Sequence, residues 1–245
     1  MMAFRPTRGG YEARATDDER AMLASLASDL VFMMGSDMNR EVERREEVAG
    51  RNGSTDADFF DALELELAGV EEAAHAAVAD EPQMNFDDDL PSDYAMEVLF
   101  PDMSENPQEA QTLRELTEDS IAGGKIENLT TFFMQLNAIE TPANAGDSAM
   151  SIGDRVWVSN EDASAWLASL NDIRLVLAAR LEIDSDEKAT EIFERAGLFT
   201  THSNRMADDI PEVSTPEDMM AVLYAMSTWW QESLVASVRA KEARR

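Results

Sequence analysis

Apolar residues of this chain recur at spacings of three and four along four long segments, which is the period of one buried helix face. Each segment follows a residue suited to cap a helix, because Ser, Thr and Asn side chains accept hydrogen bonds from the first free amides. These caps are Thr16, Asn106, Ser159 or Asn160, and Thr215. The pattern predicts a helical core made from the helix after Thr16, a helix pair over 107–136, a helix over 160–181 and a C-terminal helix.

Two short segments have the composition of β-strands. Residues 2–15, MAFRPTRGGYEARA, predict a β-hairpin with Arg-Gly-Gly at its turn, since glycine tolerates the positive φ of a tight turn. Residues 155–159, RVWVS, predict a strand with Trp157 on the face opposite its two valines. The predicted fold is mainly α, a single helical domain over 1–245 with a small antiparallel β-hairpin or three-stranded sheet.

Three segments depart from this regular pattern. Gly123-Gly124 lies inside the 107–136 segment and costs about 2 kcal/mol relative to alanine, which predicts a kink or a close helix crossing. Residues 35–92 mix charge-rich stretches with glycine and proline, and we expect an acidic, partly mobile insertion. Residues 184–214 predict an irregular insertion with one short helix that ends at Gly197.

The charge balance is extreme, with 50 acidic against 20 basic side chains and a formal net charge of −30. Residues 55–119 hold much of the excess, and their one base is Arg114. Such a surface repels nucleic acid and anionic membranes unless the basic residues are gathered in one place. Two interpretations remain open: an acidic surface that keeps the chain soluble, or an acidic face that meets a basic partner.

Basic residues do gather at the two ends of the sequence. Those near the N-terminus lie in or beside the predicted hairpin, which could act as a wing on DNA. The candidate nucleic-acid contacts are Arg5, Arg8, Arg14, Arg20, Arg239, Lys241, Arg244 and Arg245. The alternative is an ordinary solvated hairpin and a frayed C-terminal tail. DNA is therefore a candidate partner that the net charge disfavours, and we expect a protein partner instead.

The residue types present exclude several kinds of chemistry. The chain has no cysteine, which rules out disulfides, thiolate metal sites and cysteine nucleophiles, and fits a cytoplasmic location. Its N-terminus lacks the apolar stretch of a signal peptide. No apolar run approaches the roughly 20 residues that cross a bilayer. We therefore expect no membrane partner.

Catalytic and cofactor motifs are also missing from the sequence. There is no G-x-x-x-x-G-K-[ST] phosphate loop, no G-x-G-x-x-G and no G-x-S-x-G. Glu72 and His75 match half of a di-iron carboxylate signature, which requires a second Glu-x-x-His that His202 does not supply. We expect no enzyme, no metal and no cofactor, and an enzyme with an undetected site remains the alternative.

The segment SAWLASLNDIRLVLAARL, residues 164–181, places Asn171, Asp172 and Arg174 in the middle of an apolar helix. Helical geometry puts Arg174 and Asn171 on the apolar face and Asp172 elsewhere. A half-buried guanidinium needs carboxylate or carbonyl partners. The candidate carboxylates are Glu115, Glu118 and Asp119. We predict an interhelical ion pair that fixes the helix register; the alternative is a pocket in which Arg174 binds an anion.

The C-terminal helix carries two adjacent tryptophans, Trp229 and Trp230. Adjacent helical residues project about 100° apart, so one contact stripe cannot easily cover both rings. We expect one ring packed in the core and the other near a groove or a partner surface. The candidate partner surface consists of Trp229, Trp230 and Asp172.

Four motifs follow the N-terminal hairpin in order: DYAMEVLFPD, LRELTED, WLASLNDIRLVLAARL and WWQESLV. Together they resemble an actinobacterial family known as a domain of unknown function, whose members are often described as oxidative-stress transcriptional regulators. The resemblance covers residues 4–34, 93–136, 155–183 and 215–238, and its most specific part is W-L-x-x-L-N-D-x-R-L-V-L.

The resemblance implies a non-enzymatic helical protein. Members of that family are commonly encoded near a Clp-protease adaptor and cysteine-biosynthesis genes, which implies a link to sulfur or redox physiology. A thiol-based response cannot operate in this chain, so methionine oxidation is the sulfur chemistry that remains. We predict a non-catalytic regulatory protein that acts by protein–protein contact, in oxidative-stress or transcription control. The alternative is weak direct DNA binding through the basic N- and C-terminal residues.

Overall fold

The computed structural model describes residues 1–52, 94–138, 155–197 and 215–244. These residues form three strands and seven helices, which confirms a mainly α fold with a small three-stranded antiparallel sheet. The strands are β1 (Met2–Pro6), β2 (Gly10–Arg14) and β3 (Arg155–Ser159). The helices are α1 (Asp17–Met33), α2 (Met38–Asn52), α3 (Tyr94–Leu99), α4 (Pro107–Asn137), α5 (Ala163–Arg180), α6 (Asp186–Arg195) and α7 (Pro216–Glu242).

The chain divides into two compact units. One comprises Met1–Met38 together with Asp93–Arg245, and the other is Asn39–Ser92. The second unit falls within the predicted 35–92 insertion; its described part belongs to α2, and the rest of that prediction lies outside the described residues. In the predicted 184–214 insertion, α6 is the described helix, and the residues that follow Gly197 lie outside the described part.

Helix starts follow local capping chemistry in most cases. Three predicted caps are confirmed: Thr16 begins α1, Asn106 begins α4 and Thr215 begins α7. The prediction of Ser159 or Asn160 for α5 is wrong, because a turn separates β3 from a helix that begins after Asp162. Ser159 instead accepts a hydrogen bond from the Asp162 amide through its hydroxyl, at 3.0 Å.

The sheet has the strand order β1-β2-β3, and both neighbouring pairs are antiparallel. Its inner face carries the buried side chains Phe4, Tyr11, Ala13, Val156 and Val158. Gly10 is buried beside β3, and a Cβ there would lie 2.1 Å from the Val158 carbonyl oxygen. The hairpin therefore requires glycine for this close approach. Neither Gly9 nor Gly10 has the positive φ that the sequence predicts for the turn.

A bulge in β1 lies between Met2 and Arg5, where three residue steps of β1 oppose two steps of β2. Successive residues of a regular strand point to opposite faces, so residues three apart would normally point to different sides. The bulge removes that difference, and Met2 and Arg5 lie opposite Arg14 and Glu12 respectively. All four side chains therefore share the face of the sheet that points away from its buried core.

Four buried aromatic rings join the sheet to the helices. The Trp166 ring of α5 lies 5.8 Å from Phe4, 4.5 Å from Phe132 and 5.6 Å from Trp230, measured between ring centroids. The indole N–H of Trp166 donates to Gln135, and that of Trp230 donates to the Met2 carbonyl at 3.2 Å. The core thus satisfies both buried indole donors.

Helix α7 covers the edge of the sheet formed by β1. The Phe4 amide donates to Ser233 Oγ at 3.3 Å, and Ser237 Oγ donates to the Phe4 carbonyl at 2.7 Å. An edge strand with free amides and carbonyls is a template for pairing with another chain. The two serines remove this hazard at Phe4.

The two adjacent glycines of α4 do not interrupt it. The helix is continuous from Pro107 to Asn137, so the predicted pair over 107–136 is one helix of 31 residues. Gly123 and Gly124 are exposed, and a Cβ at either position would meet nothing within 4 Å. A close helix crossing does not explain them.

Replacing both glycines by alanine is expected to stabilise the protein. Each substitution reduces the conformational entropy of the unfolded chain without a clash, so Gly123→Ala/Gly124→Ala should raise the free energy of unfolding by about 1–2 kcal/mol. Urea unfolding measures this change. Gly10→Ala is the opposite control, since its Cβ would collide with the Val158 carbonyl. A double variant of unchanged or lower stability would contradict this account of α4.

Candidate functional site

Helix α5 is the central helix of the first unit and packs against α3, α4 and α7. Its polar residues Asp172 and Arg174 are two positions apart, and they therefore project about 200° apart. Asp172 faces α4, whereas Arg174 faces α7. The polar cluster in this apolar helix is thus two separate contacts on opposite flanks.

Asp172 is 4% exposed and forms an ion pair with Lys125 of α4, with 2.7 Å between Oδ1 and Nζ. Burial raises the pKa of the Asp172 carboxyl above its ordinary value, and the hydrogen bond and charge of Lys125 oppose that rise. The prediction that Asp172 belongs to a partner surface is wrong, because the side chain is enclosed between helices. Sequence reasoning missed Lys125, although it is the only lysine in α4.

Arg174 is half-buried and donates hydrogen bonds to two neutral side chains of α7. Its Nε lies 3.0 Å from Thr228 Oγ1, and its Nη1 contacts Gln231 Oε1. Gln231 in turn donates to the Leu167 carbonyl of α5 at 3.3 Å. Arg174 therefore joins α5 to α7 through neutral acceptors.

The predicted ion pair between Arg174 and α4 is wrong. Its candidate acceptors Glu115, Glu118 and Asp119 are exposed on the N-terminal half of α4. Asn171 is exposed as well and takes no part in the contact. The prediction failed because helical geometry gives relative directions within one helix, and the identity of the neighbour on each flank is set by the tertiary packing.

Arg174→Met is expected to cost less stability than Arg174→Ala. Methionine keeps an apolar side chain against the neighbours of Arg174 and loses only the hydrogen bonds, so it should lower the free energy of unfolding by about 1 kcal/mol. Alanine loses the apolar contacts as well as the hydrogen bonds, and its cost should be about 2 kcal/mol. Urea unfolding of the two variants measures the difference. Asn171→Ala, an exposed position of the same helix, is the control and should be near neutral. Equal costs for methionine and alanine would show that the stem contributes nothing.

A groove of about 300 Å³ lies beside α3 and α4. Its apolar lining includes Leu99, Phe100, Pro101, Met103, Ala110 and Ile121. The two cations that line it are paired, Arg114 with Asp102 at 2.7 Å and Lys125 with Asp172. The groove therefore offers an anionic ligand little beyond apolar contact.

The sheet exposes a second surface, which we call the outer sheet face. It consists of Met2, Arg5, Glu12, Arg14, Arg155 and Trp157. Trp157 is 43% exposed and Met2 is 52% exposed. Glu12 pairs with Arg155 at 3.3 Å, whereas Arg5 and Arg14 contact no carboxylate among the described residues. Three arginines and two large apolar side chains thus face solvent around a single acid.

The C-terminal end of α7 meets the hairpin next to its turn. The Lys241 ammonium donates to the Gly10 carbonyl at 3.2 Å and to the Asn160 side chain. It also lies 4.7 Å from the centre of the Tyr11 ring. The basic C-terminal end of α7 therefore lies next to the turn of the N-terminal hairpin.

The predicted nucleic-acid contacts divide into three groups. Those at least partly exposed and without a carboxylate partner among the described residues are Arg5, Arg8, Arg14, Arg239 and Arg244. The Arg20 side chain is 13% exposed and pairs with Asp17, and Lys241 is engaged with the hairpin, so these two are poorly placed for a nucleic acid. Arg245 lies outside the described residues.

The two tryptophans of α7 have opposite surroundings. Trp230 is fully buried, whereas Trp229 is 40% exposed. Trp230 therefore cannot belong to a partner surface, and Trp229 remains a candidate. Sequence reasoning did not select Trp157 or Arg155, although the alternation of RVWVS was the signal that placed both on the side away from the valines.

A family model described as Domain of unknown function (DUF2017) matches residues 1–238. The chain belongs to the DUF2017 family. The match runs from the N-terminal hairpin into the last turns of α7, so it includes the outer sheet face and both polar contacts of α5. Comparison of this DUF2017 chain with curated proteins and with solved structures gives no match.

Two further observations concern the described part of the DUF2017 chain. Its side chains form no group of three or more His, Cys, Asp or Glu residues that could hold a metal ion. Glu72, His75 and His202 lie outside the described residues. In the described ranges, no single helix is long and apolar enough to cross a membrane, and only α1 and α2 taken together reach that length and composition.

Proposed function

We propose that this DUF2017 chain is a non-catalytic regulatory protein that acts by contact with another protein. The resemblance to actinobacterial oxidative-stress regulators supports placing that contact in transcription or stress control in the cytoplasm. The partner is a protein, and no cofactor or metal is part of the proposal.

The observation that carries the proposal is the composition of the outer sheet face. Trp157 and Met2 leave apolar surface in water, and Arg5, Arg14 and Arg155 surround them. Tryptophan and arginine are enriched among the residues that dominate binding energy at protein interfaces. The outer sheet face is therefore better suited to bind a protein than other parts of this chain's surface, because acidic side chains outnumber basic ones by 50 to 20 in the sequence.

The surroundings of Arg174 weigh against the enzyme alternative. Arg174 is half-buried against α7, where two of its five N–H groups bind side chains of that helix, and it does not line the groove beside α3 and α4. The groove beside α3 and α4 likewise has both of its cations paired. Neither place supports binding and activation of an anionic substrate.

Direct DNA binding is the second candidate, and the meeting of the two basic ends favours it. Lys241 brings the C-terminal arginines of α7 next to the hairpin that carries Arg5 and Arg8. Four to six phosphate contacts would give a log–log salt slope of about −4 to −5. The net charge of −30 opposes such binding, because the surrounding carboxylates repel phosphates.

Photo-crosslinking in the native host tests the proposal. A benzophenone amino acid replaces Trp157, and a matched variant carries it at Phe32, which is 77% exposed on α1. A protease-sensitive adduct is expected from position 157 and not from position 32. An adduct that only nuclease removes would favour the DNA candidate. The absence of an adduct above the Phe32 control would overturn the proposal.

A further inference from the structure

We propose that the outer sheet face binds a short acidic segment of the partner protein, with carboxylates held by Arg5 and Arg14 and an apolar side chain against Trp157. This inference rests on the proposed function, since it names the chemistry of the partner that contacts this face.

Arg5 and Arg14 line one shallow cavity of about 270 Å³ on the outer sheet face. Met2 and Ala3 form part of its apolar wall. Glu12 also lines the cavity, but its carboxylate pairs with Arg155. A guanidinium binds a carboxylate through two parallel hydrogen bonds. The cavity offers two sets of such donors, neither of which contacts a carboxylate among the residues that the structure describes.

Arg14 lies directly opposite Arg155 in the β2–β3 register. Side chains at such positions start about 5 Å apart at Cβ, and like charges there destabilise a sheet. The chain has 50 acidic residues, yet two arginines stand side by side at this place. A local arrangement that opposes stability is typical of a functional surface, and an anionic ligand would remove the repulsion.

A short acidic segment suits this face better than nucleic acid. The face holds three arginines and one glutamate, a net charge of +2, in a chain of net charge −30. A nucleic acid strand extends past so small a sheet, over a protein whose net charge of −30 repels phosphates. A segment of a few residues can stay on the patch, where more distant charges are screened beyond about 8 Å at physiological salt.

Fluorescence anisotropy with the full chain tests the inference. The labelled probes are an octaglutamate peptide, a single-stranded and a duplex oligonucleotide of similar charge, and a neutral peptide as a blank. The acidic peptide should bind, more weakly at higher salt, and more tightly than either oligonucleotide. Arg5→Gln/Arg14→Gln should weaken its binding at least tenfold, and Arg114→Gln, an arginine on α4 away from the face, should leave it unchanged.

Two single variants distinguish ligand binding from a structural role. Glu12→Gln should strengthen peptide binding, because it releases Arg155 from its partner. Arg14→Glu should raise the melting temperature, since glutamate replaces one of two opposed arginines, and should weaken peptide binding. An arginine with only a structural role would lose stability on this change.

Several results would overturn the inference: no binding of the acidic peptide at low salt, tighter binding of an oligonucleotide, or full affinity in the Arg5→Gln/Arg14→Gln variant. If one of these occurs while position 157 still yields a protein adduct, the acidic partner is wrong and the protein-contact function stands. If position 157 yields no adduct, the proposed protein-contact function is wrong.

Discussion

Lys125→Met is expected to lower the free energy of unfolding by about 3 kcal/mol at neutral pH. Methionine keeps much of the side-chain volume, but the Asp172 carboxylate then stays buried without its counter-charge. This loss of stability is near the lower limit of the range for breaking a buried ion pair, about 3–5 kcal/mol. The reason is that the Lys125 side chain is 20% exposed, so water can approach the site. Urea unfolding at pH 7 gives the value.

The effect of Lys125→Met should shrink as the pH falls. Burial raises the pKa of Asp172, and removal of Lys125 raises it further, because that lysine opposes the rise. A group whose pKa is higher in the folded than in the unfolded state stabilises the protein when it is protonated. This stabilisation is complete below the unfolded pKa, about 3.9 for Asp, and is lost as the pH rises through the pKa of the folded state. The variant and the wild type should therefore differ most at neutral pH and least near about pH 4.

The double variant Lys125→Met/Asp172→Leu is the control for this pair. It removes both charges from the interface of α4 and α5, and its stability should equal or exceed that of the wild type at pH 7. A single Lys125→Met variant as stable as the wild type would mean that water already solvates Asp172.

Trp230→Ala is expected to cost about 3–5 kcal/mol, the largest effect of the substitutions considered. The ring is fully buried, packs against Trp166 and Phe4, and donates to the Met2 carbonyl. Its loss would leave a cavity where the sheet meets α5 and α7. Thermal and urea unfolding both report the change.

The neighbouring Trp229→Ala provides a matched control. This ring is 40% exposed, so truncation should cost less than about 1 kcal/mol. The pair of variants also separates stability from partner binding, because a folded Trp229→Ala protein can be tested for lost contacts. Equal destabilisation by the two substitutions would contradict the assigned packing of α7.

Local chemistry made much of the secondary structure predictable. Thr16, Asn106 and Thr215 begin helices because their side chains bind amides only two or three residues away. The pair Gly123-Gly124 led to a wrong prediction of a kink or a close helix crossing, because local propensity was the only evidence used. Its cost to a helix is local, but the tertiary structure holds α4 continuous through it.

The candidate site was less predictable because it depends on pairing between distant segments. The alternation of RVWVS places Trp157 away from the core, yet nothing in that pattern identifies Arg5 and Arg14 as its neighbours. The bulge that brings Met2 and Arg5 to one face exists only in the pairing of β1 with β2. The partners of Asp172 and Arg174 likewise depend on which helices flank α5.

The contact between β1 and α7 also affects how the chain folds as it is made. Phe4 binds Ser233 and Ser237, partners that are 229 and 233 positions later in the sequence. At about 5–20 residues per second, a ribosome needs roughly 10–50 s to supply them after β1 emerges. During that interval the first strand has an unprotected edge and an uncovered Phe4, so the hairpin of the nascent chain is prone to pair with other strands until α7 has been made.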